Sequence, residues 1–289
     1  MKLQKLISKL EKHHKKKLDL SLGRTFNLLK KLGDPQDKLK NIITVVGTNA
    51  KASMCYSLKS ILNQGGYKTN LYTSPHLLSY TERYVFEDKE INEEDLIELL
   101  TDVEKTLGDD NATLFEILTC AFLKYAENFK DNINIIEAGL FHQFDSTNVF
   151  KENLMTFIGV IHNDHFQWLE NKSIEGVIYE KTVKLLNSNI FINKQVNNEI
   201  RDKIEKSLKK NTSNKYFFGK DFNIAKSENG FIQYQDQLGE LVLPEPSILG
   251  DHQLYNISTS IAASRKIFNI KDEHCLLYTS DAADDLDRV

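Results

Sequence analysis

Residues 42–53 read IITVVGTNAKAS, and this stretch decides the expected fold. Residues 42–46 form a short apolar run rich in β-branched side chains, which is typical of a buried parallel strand. The run stops at Gly47, and from Ser53 onward apolar residues recur with the spacing of a helix. The sequence therefore predicts a strand, a turn over 47–53 and a helix, in that order.

The predicted turn contains Lys51. A turn of this kind directs backbone N–H groups and the positive end of a helix dipole at one point, which favours an anion. The lysine can reach the β- or γ-phosphate of a nucleotide. However, the turn lacks the GxxxxGK[ST] spacing of a Walker A loop, and Ala50 and Ala52 stand where such a loop favours glycine. The motif alone leaves phosphate binding and an ordinary strand-to-helix turn as equal alternatives.

The composition is that of a soluble protein with one large domain or two small ones, since 27% of its 289 residues are charged and 40% are hydrophobic. The net charge of −4 gives no reason to expect a nucleic-acid or membrane partner. The cysteines lack metal-ligand spacing, which favours reduced, buried thiols in a cytoplasmic protein. No apolar run reaches the length of a membrane span, and the N-terminus lacks the pattern of a signal peptide.

Strands and helices are predicted to alternate along the chain, which indicates an α/β fold with a mainly parallel sheet flanked by helices. Further strands are predicted at 69–72, 84–86, 133–136, 156–161 and 189–192. Helices are predicted at 1–18, 22–32, 93–107, 114–129, 173–186, 200–208 and 254–267. Alternating apolar residues around an Asn-Gly turn predict a small antiparallel β element near 216–243.

Polar residues follow four of the predicted parallel strands, namely Lys51, Ser74, Glu137 and His165. The carboxyl ends of parallel strands meet at one edge of a sheet, where open α/β folds bind their ligands. Each residue alone has an ordinary alternative, such as a turn cap, a salt bridge or a structural histidine. Their recurrence at successive strand ends favours a shared site. Glu116, in a predicted buried helix, is a further acidic candidate.

The segment GTNAKAS resembles the GTNGKGS phosphate loop of the dihydrofolate synthase / folylpolyglutamate synthase family, within the Mur ligase superfamily. The resemblance covers residues 18 to about 268, in order and with suitable spacing. It includes LDLSLGRTFNLLKKLGDPQ at 18–36, LYTSPHL at 71–77, TERYVF at 81–86, IIEAGLFHQFDSTNV at 135–149, NDHFQWL at 163–169, YEK at 179–181 and LGDHQLYN at 249–256.

This resemblance implies a P-loop NTPase-like fold, that of the Mur ligase central domain, and an ATP-dependent ligase. In the implied reaction ATP phosphorylates the carboxylate of a pteroate or folate, and the amine of L-glutamate attacks the acyl phosphate to form an amide. The implied cofactors are ATP and two Mg²⁺ ions. The implied partners are small molecules only, for a monomer in the cytoplasm.

The resemblance also implies roles for individual residues. Lys51, His165 and Lys181 would be catalytic, with Lys181 carrying a carbamate that supports the second metal ion. Nucleotide binding would fall to Asn256, at the adenine, and to the loop residues Gly47, Thr48, Asn49, Ala50, Lys51, Ala52 and Ser53. One Mg²⁺ would be held by Ser53, Ser74 and Glu137, and the other by His165. The pterin or pteroate would lie near Pro75, Arg83 and Asp145.

The sequence departs from the family at three places. Ala50 and Ala52 replace glycines, and Phe141 to Gln143 replace a segment resembling Gly-Gly-Arg. Residues 275–289, CLLYTSDAADDLDRV, do not resemble the family and look like translated adaptor or vector sequence rather than a natural acidic tail.

We therefore expect a Mur ligase-type ATP-binding domain at 1–274 and no C-terminal glutamate-binding domain. Such a fragment would bind Mg·ATP weakly and would not ligate glutamate alone. Two alternatives remain open at this point: a P-loop kinase or related phosphotransferase, and a nucleotide-binding fragment without catalysis.

Overall fold

The apolar run at residues 42–46 forms an inner strand of an eight-stranded sheet in the computed structural model, which describes residues 2–13, 21–227, 231–244 and 250–275. Its helices are α1 (Lys2–His13), α2 (Gly23–Lys31), α3 (Lys51–Gln64), α4 (Glu93–Leu107), α5 (Leu114–Ala126), α6 (Ile174–Thr182), α7 (Asn198–Ser207) and α8 (Asp251–Ile267). Its strands are β1 (Ile42–Val46), β2 (Thr69–Tyr72), β3 (Tyr84–Phe86), β4 (Lys89–Glu90), β5 (Ile133–Glu137), β6 (Met155–Ile158), β7 (Asn189–Ile192), β8 (Asn214–Phe217), β9 (Phe222–Lys226), β10 (Ile232–Asp236) and β11 (Gly239–Leu243).

The main sheet has the strand order β4-β3-β2-β5-β1-β6-β7-β8. Strands β2, β5, β1, β6, β7 and β8 pair in parallel, and β3 and β4 add an antiparallel edge. Every residue of β1 is buried, as expected for a strand covered on both faces. The predicted α/β fold with a mainly parallel sheet is confirmed.

Alternate residues of the inner strands pack on opposite faces of the sheet, because successive side chains of a strand point in opposite directions. Ile43 and Val45 pack with α3, α8 and the small sheet formed by β9 to β11. On the other face, Ile42 packs with residues of α1, α2, α4 and α5. Val46 joins a third cluster with α6 and α7. The carboxyl edge of the sheet is thus bordered by helices on both sides.

The small sheet is antiparallel with the order β11-β10-β9, which confirms the predicted element in outline. Its predicted start is wrong, because Tyr216 lies in β8 of the main sheet and the antiparallel part begins at Phe222. Only Phe217 of β8 is fully buried, so this edge strand lacks the apolar run by which the other parallel strands are recognised.

Several predicted boundaries also move. Strand β6 ends at Ile158 rather than at residue 161, α6 ends at Thr182 rather than at 186, and α8 begins at Asp251 rather than at 254. Residues 1, 14–20, 228–230, 245–249 and 276–289 lie outside the described residues, and with them most of the predicted tail and both ends of the first predicted helix. Cys275, which was expected in that tail, is buried in the core.

Within the part of the chain that the structure describes, every helix is too short or too polar to cross a lipid bilayer.

Phe122 of α5 offers a test of the packing between α5 and the sheet. It is fully buried, and its ring centroid lies 4.9 Å from that of Tyr72 and 5.3 Å from that of Phe86. We expect Phe122→Ala to lower the free energy of unfolding by about 3–5 kcal/mol, because it leaves a cavity in a close-packed core. Urea denaturation of the 289-residue chain measures this change.

The matched control is Phe231→Ala, since Phe231 is 59% exposed. We expect this control to change the free energy of unfolding by less than about 0.5 kcal/mol. Equal effects of the two substitutions would contradict the described packing of α5.

Candidate functional site

The turn between β1 and α3 places the first turn of α3 at the carboxyl edge of the sheet. Ala50, the residue before the helix, has a left-handed backbone with φ of +73° and makes no side-chain cap. The first N–H groups of an uncapped helix are available to an anion. Of the two alanines that replace glycine, only Ala50 needs the glycine-like conformation, because Ala52 lies within α3.

Two of the backbone amides predicted to bind phosphate already donate hydrogen bonds within the protein. The N–H groups of Thr48 and Asn49 both donate to the carbonyl oxygen of Val160, at 2.8 and 3.1 Å. The chain after β6 therefore holds the start of the loop. A Cβ atom at Gly159 would lie 2.5 Å from the carbonyl oxygen of Asn49, so this close approach requires glycine. The amides left to face an anion are those at the start of α3.

Glu137 occupies the centre of the edge. One of its carboxylate oxygens accepts from the backbone N–H of Ser74 at 2.9 Å, and the other lies 3.7 Å from Nζ of Lys51. The side chain is almost completely buried. Burial raises the pKa of Glu137 to about 7, although the ammonium of Lys51 and the Ser74 amide act in the opposite direction. A cation bound at this carboxylate would relieve the cost of its burial.

His165 lies on the same edge. It has a left-handed backbone with φ of +52°, and its Nε2 lies 3.1 Å from a carboxylate oxygen of Asp164. Together with Lys51 and Ser74 it lines a cavity of 820 Å³. The structure thus places Lys51 and Ser74 beside Glu137 in one cavity and beside His165 in another, at the carboxyl ends of the adjacent strands β1, β2, β5 and β6.

Two cavities meet at this edge. The first, of 640 Å³, is lined by polar groups of the β1–α3 turn and by Glu137. The second, of 820 Å³, has an aromatic lining formed by Phe115, Phe141, Phe144 and Trp168. Both cavities are bordered by Lys51, Ser74 and Pro75. The two cavities therefore adjoin at these shared residues.

Lys181 of α6 is buried beside the turn, with 2% of its surface exposed. Its Nζ donates to the carbonyl oxygens of Gly47 at 2.9 Å and Leu140 at 3.0 Å. Burial, with the nearby charge of Lys51, lowers the pKa of Lys181 to about 7. A substantial fraction of this amine is neutral near pH 7, and the neutral form is the one that reacts with carbon dioxide.

Asn256 does not line either cavity. Its side chain is buried, with Oδ1 accepting from Nδ2 of Asn193 at 2.7 Å and Nδ2 donating to Gln253 at 3.0 Å. The predicted contact with adenine thus competes with two existing hydrogen bonds. Asn193 was missed by the sequence analysis, because nothing in the sequence links the end of β7 to α8.

Among the predicted substrate residues, Pro75, Arg83 and Asp145 all line the aromatic cavity. Nε of Arg83 donates to Nδ1 of His76 at 2.9 Å. Asp145 is buried, and its carboxylate accepts from the N–H and hydroxyl of Thr147 and from the N–H of Leu140. Asp145 therefore holds its own loop as well as facing the cavity.

Glu116 has a structural role at the start of α5, and it also lines the aromatic cavity. It completes the capping box of α5 with Thr113. It also accepts two hydrogen bonds from the guanidinium of Arg24, at 3.1 and 3.0 Å. This bidentate pair joins α2 to the start of α5.

The residues predicted to hold metal suit Mg²⁺ only when phosphate and water complete the coordination. No group of three or more His, Cys, Asp or Glu side chains within the described ranges is placed to hold a metal ion. Mg²⁺ in nucleotide sites commonly takes one or two carboxylates and several phosphate and water oxygens. The buried carboxylate of Glu137 and the hydroxyl of Ser74 fit that donor set and line the polar cavity. Ser53 offers a hydroxyl of the same kind, but it is buried and lines neither cavity.

Comparisons with known proteins point to one family. The chain is 34% identical over 163 residues to the dihydrofolate synthase/folylpolyglutamate synthase of Escherichia coli K12, covering 56% of this chain and 38% of that protein. With the protein of the same name from Bacillus subtilis 168 it is 36% identical over 167 residues, covering 55% and 38%. The predicted resemblance to this family is confirmed.

The aligned regions span less than two-thirds of the length of these dihydrofolate synthase/folylpolyglutamate synthase relatives. A probable dihydrofolate synthetase of Schizosaccharomyces pombe aligns over 251 residues at 27% identity, covering 85% of this chain and 59% of that protein. No protein-family model matches the chain.

Solved structures agree with the relatives. E. coli FolC in complex with DHPP and ADP is 27% identical with a TM-score of 0.84, covering 97% of this chain and 66% of that one. The bifunctional folylpolyglutamate synthase/dihydrofolate synthase of Yersinia pestis, complexed with AMPPNP and a Mn ion, is 26% identical with the same TM-score and coverage. The apo form of L. casei FPGS, at 22% identity and a TM-score of 0.86, supports the fold alone.

The buried amine of Lys181 gives a pH-dependent prediction. Between pH 7 and pH 10.5 the unfolded chain keeps a proton on this lysine that the folded chain has lost, so its contribution to stability rises with pH. We expect the free energy of unfolding of the wild type, relative to Lys181→Met, to increase across this range. Urea denaturation at a series of pH values measures the difference.

Lys184→Met is the control, because Lys184 is exposed in the segment just after α6. The difference between the wild type and this control should stay constant over the same pH range. A constant difference for Lys181→Met as well would show that its amine titrates normally in the folded chain.

Proposed function

We propose that this chain is the ATP-binding part of a ligase that joins L-glutamate to dihydropteroate, a reduced folate or both. The observation that carries the proposal is the junction of two unlike cavities at Lys51, Ser74 and Pro75. The polar cavity contains the β1–α3 turn and suits a triphosphate, whereas the aromatic cavity suits a flat ring system. A carboxylate activated by ATP has to lie where such cavities meet.

The residues of the polar cavity would act by binding and orienting the nucleotide. The N–H groups at the start of α3 and the ammonium of Lys51 would bind the β- and γ-phosphates. Ser53, Ser74 and Glu137 would hold one Mg²⁺, and His165 would serve a second. When bound, the metal ions supply charge neutralisation on the phosphate oxygens. Lys51 faces both cavities and would stabilise negative charge as the phosphoryl group is transferred.

The aromatic cavity would hold the ring of the pterin or pteroate, with its carboxylate directed at Lys51. Arg83 lies at the wall of the same cavity and would favour an anionic substrate. The amine of L-glutamate would then attack the acyl phosphate. The E. coli relative crystallised with DHPP and ADP, and the Yersinia pestis relative crystallised with AMPPNP and a Mn ion, support this choice of ligands.

We also propose that small molecules are the only partners of the protein and that it acts as a monomer in the cytoplasm. The net charge of −4 supports the absence of a nucleic-acid partner, because no excess of positive charge is available for phosphate backbones.

Nucleotide binding provides the first test. We expect the 289-residue chain to bind Mg·ATP, and Lys51→Ala to weaken that binding by about tenfold or more through loss of a charge-assisted phosphate contact. Isothermal titration calorimetry measures the dissociation constants. Lys68→Ala is the control, since the side chain of Lys68 is 70% exposed.

The reaction class is tested in the longer parent protein that the sequence resemblance predicts. ADP release with dihydropteroate or a reduced folate should require L-glutamate. Release that is independent of glutamate would indicate a phosphotransferase, and absence of any Mg·ATP binding would reject the proposed site.

We further propose that the neutral amine of Lys181 attacks carbon dioxide and releases a proton, forming a carbamate. This change replaces a cation with an anion able to support the second metal ion. With ¹³C-labelled carbon dioxide, the wild type should give a carbamate NMR signal that Lys181→Ala lacks. Lys181→Ala should also lose parent activity and regain it with short-chain carboxylates; full activity without rescue would contradict the proposal.

A further inference from the structure

His162 lies beside the β1–α3 turn and has no part in the proposed reaction. It precedes His165 by three positions and follows β6. Its half-buried imidazole reaches the turn, with Nε2 lying 2.9 Å from Nδ2 of Asn49. A histidine and an asparagine from two different strand ends are thus joined by their side chains.

The second ring nitrogen determines the direction of this hydrogen bond. Nδ1 of His162 lies 3.2 Å from the carbonyl oxygen of Asn163, and a carbonyl oxygen can only accept. Nδ1 therefore carries the hydrogen, and Nε2 of the neutral ring has its lone pair available. Since the amide nitrogen of Asn49 can only donate, Nε2 accepts from it. The contact is a satisfied hydrogen bond in the neutral tautomer.

The backbone of His162 adds a reciprocal contact to the same turn. Its N–H donates to Oγ1 of Thr48 at 3.4 Å, and that hydroxyl donates to the carbonyl oxygen of His162, also at 3.4 Å. Because the amides of Thr48 and Asn49 already donate to Val160, the segment after β6 holds both the backbone and the side chains of these two residues.

The turn needs such support. Ala50 follows Asn49 and has a left-handed backbone, which an alanine adopts less readily than a glycine. Its side chain offers no cap to α3. The position of the first N–H groups of α3 therefore depends on contacts made by the residues before the helix. One of these contacts is the hydrogen bond between the side chains of Asn49 and His162.

We propose that His162 is a positioning residue of the nucleotide site, which fixes Asn49, and through it the start of α3, by accepting a hydrogen bond at Nε2. This inference rests on the proposed function, because its consequence is tighter binding of Mg·ATP. It adds His162, which follows β6, to the residues that hold the β1–α3 turn in position for the nucleotide.

The test compares two substitutions of similar size in the 289-residue chain. His162→Leu removes the acceptor, whereas His162→Gln offers an amide oxygen at a similar reach. We expect His162→Leu to weaken Mg·ATP binding about tenfold, and His162→Gln to stay within about threefold of the wild type. Asn163→Ala is the control and should leave the dissociation constant unchanged, because Asn163 contributes only its backbone oxygen to the contact.

A double-mutant cycle tests whether the effect of His162→Leu on Mg·ATP binding acts through Asn49. Asn49→Ala alone should weaken binding, and adding His162→Leu to it should cause no further loss. The melting temperature without nucleotide is measured for each variant, and we expect it to change little because the bond lies at the surface.

The outcomes separate the two proposals. If the wild type does not bind Mg·ATP, the proposed function fails and the inference fails with it. If the wild type binds but His162→Leu binds equally well, only the inference is overturned. Additive losses in the cycle, or equal losses for His162→Leu and His162→Gln, would overturn it as well.

Discussion

The burial of Glu137 between a lysine and a backbone amide is the constraint on which the site depends. This carboxylate sits at the end of β5 between the turns that follow β1 and β2. Its contacts with Lys51 and the Ser74 amide tie those two turns to one strand. Because the two cavities share Lys51 and Ser74, the same contacts fix the point at which the cavities meet.

The parallel sheet explains why such distant residues converge. Each crossover connection brings the chain back to the edge of the sheet where the parallel strands begin. Every parallel strand therefore ends at the opposite, carboxyl edge, and the residues after it lie there. The helices on both faces close off the sides of that edge. The edge at which the two cavities lie is therefore formed by strand ends, while the helices add the start of α3, the buried amine of Lys181 and cavity-lining residues such as Phe115 of α5.

The sequence allowed this edge to be predicted because its signals are local. The apolar run of β1 and the polar residues after β2, β5 and β6 can be recognised one segment at a time. What could not be predicted depends on packing between segments: the use of the Thr48 and Asn49 amides by Val160, the need for glycine at position 159, and the pairing of Asn256 with Asn193. Strand β8 escaped recognition for a related reason, since an edge strand has few buried side chains.

Lys181 links two segments of the chain, because its amine donates a hydrogen bond to one backbone carbonyl in each of them. A lysine amine has enough N–H groups to serve the carbonyl oxygens of Gly47 and Leu140 together. A carbamate nitrogen keeps a single N–H, and its oxygens can only accept. If Lys181 carries the proposed carbamate, one of the two carbonyls would have to accept from another donor, such as water or a neighbouring N–H group. Chemical modification at one nitrogen would thereby release one of the two segments, at Gly47 or at Leu140, from its hydrogen bond to α6.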